Sequence, residues 1–244
     1  MTVATAKLAH PQVVEAICEF RFAQGVSYSL LPGAMAERLR SKFPIPEVLP
    51  AAGFLGGLPE GLGTPLAPYH RFRSESPNAL FQLGPRLLTV NVLPPYPGFE
   101  VFRELIHEVL KHYQELANSG SPVRVGLRYI NHLKATEGLK PLGKYLNCAV
   151  EYPRELAHPP SELALRLLMS YGELGTLAFA VSYPARVAHG ELGVLLDLDF
   201  FWEQTGEFPM ERFSNWLEDA HNIVYLAFTS AVPEEALVRF RGGQ

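Results

Sequence analysis

The chain predicts an α+β fold in which one antiparallel sheet carries helices on one face, built from a duplicated β-α-β-β-α unit. Three observations carry that prediction. Several apolar stretches alternate at period two, two long segments repeat at helical period, and the order strand, helix, strands, helix occurs twice along 244 residues. With 48% hydrophobic residues the chain can fill one large core or two packed halves, placed here at 1–120 and 121–244 as one compact unit.

The first strand is "PQVVEAICEFRF", residues 11–22, with Val14, Ala16, Cys18, Phe20 and Phe22 on one face and Glu15, Ile17, Glu19 and Arg21 on the other. A short helix follows, with Ser29 as its cap, Pro32 in its first turn, and Met35, Leu39 and Phe43 at helical spacing. Residues 44–68 have no period and many prolines and glycines, so they read as a long loop. "YHRFRSE" and "ALFQLGPRLLTVNVLPPY" read as strands with a turn at Gly84-Pro85. Residues 99–118 form the clearest helix, striped by Phe102, Leu105, Ile106, Val109, Tyr113 and Leu116 and stopped by Gly120.

The second half opens on a strand at 123–134, where Arg124, Gly126, Arg128 and Ile130 share a face. After an irregular segment at 138–160 come three strands, "ELALRLLMSYG", "GTLAFAVSYP" and "LGVLLDLDFFW", whose short connections make them antiparallel. A helix at about 210–230 has the arc Phe213, Trp216, Leu217, Ala220, Val224, Ala227 and Phe228, and the tail adds a further helical turn.

Glu15, Glu19, Arg21, Arg124 and Arg128 are expected to meet across the two first strands of the halves as an ion network. Such a network orders a fold before it catalyses anything; recognition of an anionic ligand or partner by the arginines is the next reading, and catalysis the last. Asp197 and Asp199 lie two apart on one strand, a spacing that can bracket a divalent metal, although an outward polar face is the plainer account. His221 borders the apolar arc of its helix, where a packed histidine competes with a functional one.

The remaining chemistry is absent from the text. No His-Glu-x-x-His, Cys-x-x-Cys, P-loop or Gly-x-Ser-x-Gly pattern occurs, so no cofactor is expected. A net charge of -4 gives no basic stripe, which leaves nucleic acid as a partner not favoured. No stretch is apolar enough to span a membrane, and Cys18 and Cys148 read as free thiols of a cytoplasmic protein.

"PQVVEAICEFRF", "RVGLRYINHL", "LLDLDFF" and "LEDAHNIVYLAFTSAV" together resemble a sporadically distributed family of uncharacterised prokaryotic proteins of this length. The resemblance implies that Glu15, Glu19, Arg21, Arg124, Arg128, Tyr129, Asn131, Asp197, Asp199 and His221 are the family-type positions. It brings no activity with it, and its scattered occurrence implies accessory loci such as defence systems. The resulting expectation is a non-enzymatic binding or assembly subunit with a protein partner or a second copy of itself. The alternatives are a metal-dependent enzyme on nucleotides or nucleic acid using Asp197 and Asp199, and a nucleic-acid-binding protein.

Overall fold

The structure, a computed structural model, describes residues 8–24, 30–49, 69–117, 120–135, 140–151, 153, 155, 161–186 and 190–242. Nine strands form one antiparallel sheet: β1 (Val13–Phe22), β2 (Ile45–Leu49), β3 (Tyr69–Ser74), β4 (Ala79–Gly84), β5 (Leu87–Val92), β6 (Pro122–Lys134), β7 (Leu163–Ser170), β8 (Thr176–Arg186) and β9 (Leu192–Glu203). Four α-helices join them: α1 (Leu31–Leu39), α2 (Phe99–Ala117), α3 (Phe213–Ala231) and α4 (Glu234–Phe240). The strand order is β2-β3-β4-β5-β1-β6-β9-β8-β7, so the α+β antiparallel class expected from the sequence is the class observed. No helix among the described residues is long and apolar enough to cross a membrane.

One expectation needs correction. The loop expected at 44–68 begins with a strand, because Ile45–Leu49 pairs antiparallel with Tyr69–Ser74. Pro46 misled the reading, yet β2 is an edge strand, where proline costs no shared ladder bond. Residues 50–68 and Ser29, the expected helix cap, lie outside the described residues.

The chain divides into two compact units. One comprises Ile17–Gly126 and Trp202–Glu211, and the other Met1–Ala16, Leu127–Phe201 and Arg212–Gln244. In the first, α2 buries Phe102, Leu105, Ile106, Val109 and Tyr113, the stripe that its period predicts. Tyr113 stacks on Phe22 of β1 at 5.0 Å, and Phe81 of β4 takes Phe72 at 4.6 Å and Phe43 at 5.0 Å. Such aromatic pairs each add about 1 kcal/mol beyond the burial of their area. Helix α2 ends before Gly120, whose φ of 71° is the left-handed conformation that stops a helix.

In the second unit α3 buries Phe213, Trp216, Leu217, Ala220, Val224 and Phe228. Trp216 lies 5.9 Å from Phe200 of β9, and its indole N–H donates to the Leu174 carbonyl at 2.9 Å, so the ring is both packed and satisfied. Helix α4 is fastened at its end, where the His10 amide donates to the Phe240 carbonyl at 2.9 Å.

Candidate functional site

Alternation in β1, β6 and β9 puts the charged residues on the face opposite the buried apolar ones. Ala16, Cys18, Phe20 and Phe22 are buried in β1, as are Leu196, Leu198, Phe200 and Trp202 in β9, while Glu15, Glu19, Asp197 and Asp199 remain half-buried. The charges then sort into two groups, one in each unit.

In the Ile17–Gly126 unit, Arg124 donates through Nη1 to Glu19, and Glu203 stands 3.5 Å from Arg124 Nε. Arg21 closes on the same Glu19 carboxylate at 2.9 Å. Arg124 is buried and Arg21 is exposed, so the first is held by Glu19 while the second mostly faces water. In the other unit Arg128 holds Asp197 with a two-pronged grip, Nε to Oδ1 at 2.7 Å and Nη2 to Oδ2. Burial alone would push the Arg128 guanidinium down. The bond to Asp197 and the charges of Asp197, Asp199 and Glu15 outweigh that and push it up, so Arg128 is a fixed cation and no proton donor.

The expected network therefore exists with a different wiring. Glu19 bonds Arg124, and Arg128 bonds Asp197, an acid that the sequence offered as a metal ligand. Both oxygens of Asp197 are engaged by a guanidinium, so metal binding there would first have to displace Arg128. Among the described residues no group of three His, Cys, Asp or Glu side chains is placed to hold a metal ion.

Tyr129, Asn131 and His221 do not join either group. Asn131 is buried and donates to the backbone carbonyls of Tyr129 at 3.3 Å and Leu196 at 3.2 Å, which ties β6 to β9. The His221 ring lies 6.2 Å from Tyr129 and 6.4 Å from Tyr225, as a histidine packed among aromatics does.

Two polar features were not singled out in the sequence. In the first unit Arg71 donates to Gln82 at 3.3 Å, Gln82 to Thr89 at 3.3 Å, and Thr89 to Asn91 at 2.8 Å, forming a chain across β3, β4 and β5. Gln82, Thr89 and Asn91 are all buried, and β4 and β5 are buried at every position, so the sheet is covered on both faces there. Thr89 and Asn91, two apart in "LLTVNV", were the available signal. In the second unit His132 is 1% exposed and neither ring nitrogen has a hydrogen-bond partner. Burial pushes its imidazole down; Glu191 works against that shift and Lys134 with it. Gly193 makes room for the ring, since a Cβ there would lie 2.6 Å from His132 Nε2 and 2.2 Å from the Leu133 carbonyl oxygen.

Taken together, these residues can order strands and hold charge, but they offer no activated nucleophile and no free acid–base pair among the described residues. No family model matches the chain, and no curated protein matches it.

Proposed function

We propose that the protein is a non-enzymatic binding or assembly subunit that takes a protein partner by strand addition at β7. The observation that carries this reading is the bareness of that edge. β7, "LALRLLMS", is the last strand of the sheet, eight residues long without proline, and Leu167, Leu168 and Met169 are 45%, 56% and 37% exposed. A long apolar edge is a template for another strand, and proteins that use none guard it with charge, proline or shortness. The opposite edge is guarded in all three ways: β2 has five residues, includes Pro46, and carries Glu47 within 3.5 Å of Arg71 and 3.7 Å of Arg73.

The internal pairing of the charged residues supports the same reading, because Arg124 and Arg128 are already matched by Glu19 and Asp197. The test is retention of partners from the source lysate on the tagged full chain, compared with Leu168→Lys. A stoichiometric protein held by the natural sequence and lost by the variant is the expected result. Retention of nucleic acid alone, or of a protein that the variant holds equally well, would overturn it.

A further inference from the structure

We infer that the occupant of β7 is a second copy of this chain, paired antiparallel across a two-fold axis that passes through Leu168; this rests on β7 being a docking edge. Two copies related by such an axis keep their helix-bearing faces on one side, so residues facing each other share parity and the axis falls on a residue. The composition of β7 then decides which residue.

Arg166 is the strand's one charged residue, and an axis on it would set two guanidiniums directly against each other. An axis on Leu168 avoids this. It places Leu168, the most exposed residue of the strand, against its own copy. Each Arg166 then faces the hydroxyl of Ser170, four positions from the other Arg166. On the opposite face Leu167 meets Met169, and Leu165 meets Tyr171, which is itself exposed. The row is apolar from end to end.

The pairing of β7 with β8 extends the argument inward. Leu165, Leu167 and Met169 lie opposite Val181, Phe179 and Leu177 of β8, of which Val181 and Leu177 are buried. The new strand would therefore continue an apolar layer that already exists in this unit and now ends at water. Acidic partners gain little here, since Arg166 is the only cation on the edge, and a charged partner strand would bury its charges against leucine.

A single strand pair covers less than the roughly 800 Å² per partner of a standard stable interface, so the dimer is expected to dissociate in the micromolar range. Sedimentation velocity of the purified full chain, over a concentration series spanning that range, should show a shift from 27.1 kDa toward twice that mass. Leu168→Lys, which puts like charges face to face on the axis, should weaken association by about a hundredfold. Leu168→Cys in a Cys148→Ser background should give a disulfide-linked dimer on mild oxidation, while Val238→Cys on the exposed side of α4 should not. The cross-link answers the question even if the lysine variant folds poorly.

A monomer throughout the series, or a dimer that Leu168→Lys leaves intact and Leu168→Cys does not link, overturns the inference. The docking-edge reading fails separately, only if the lysate experiment also finds no protein whose retention depends on Leu168.

Discussion

The Arg128–Asp197 pair gives the sharpest test of how the charged strands work. Both side chains are about one-quarter exposed, at 22% and 26%, and two parallel bonds join them. With charge centres about 4 Å apart and an effective dielectric near 20, their attraction is about 4 kcal/mol. Desolvation of two part-buried ions takes back about half of that, leaving a coupling energy of about 2 kcal/mol. Arg128→Gln should cost about 2–3 kcal/mol, because Asp197, Asp199 and Glu15 then face one another without their shared cation. Asp197→Asn should cost about 2 kcal/mol, and the double variant about 2 kcal/mol less than the sum of the two.

Urea unfolding followed by circular dichroism and by tryptophan fluorescence would measure this, with coincident transitions required before free energies are compared. A second cycle sets the contrast. Glu19 bonds Arg21 and Arg124, so Glu19→Gln and Arg128→Gln should be additive within about 0.5 kcal/mol. Additivity in the first cycle, or coupling above about 1 kcal/mol in the second, would refute the wiring described above.

Two further outcomes follow from single buried groups. Burial first, and the Glu19 charge second, push the Cys18 thiol well up, so thiol titration of the native protein should label Cys148 but not Cys18, and both after denaturation. His132 is held neutral in the fold with its pKa below the ordinary 6.5, so the unfolded chain binds its proton first. Stability should then be full above pH 6.5 and fall as pH drops below it, by at most about 1.4 kcal/mol per unit, a slope that His132→Leu should reduce in urea titrations at stepped pH.

The strands and helices were legible because burial follows simple periods. Phe102 to Tyr113 and Phe213 to Phe228 each line one side of a helix, and the period-two charges of β1, β6 and β9 announce a polar face. Pair identities were not legible, because they depend on which strand lies beside which. Asp197 reaches Arg128 only because β6 and β9 are neighbours, 69 positions apart in sequence at the bonded residues. His132 was hidden for another reason: Asn131, His132 and Leu133 are buried consecutively, which breaks the alternation on which the reading of faces relies.

The distribution of charge over the sheet bears on where the function sits. Arginine and carboxylate pairs lie on β1, β6 and β9, which occupy the fifth to seventh places of the order, whereas the terminal strand β7 is nearly free of charge. A sheet protected only against aggregation would have the reverse arrangement, with charge at its margins and apolar residues inside. Charges in the middle cost desolvation, and an apolar margin invites another strand, so neither choice favours an isolated chain. Both make sense if the central pairs fix strand register while the β7 margin is covered in the working state. If β7 is covered, its outward-facing amides should exchange with solvent more slowly at high protein concentration than at low, and those of β2 should show no such dependence.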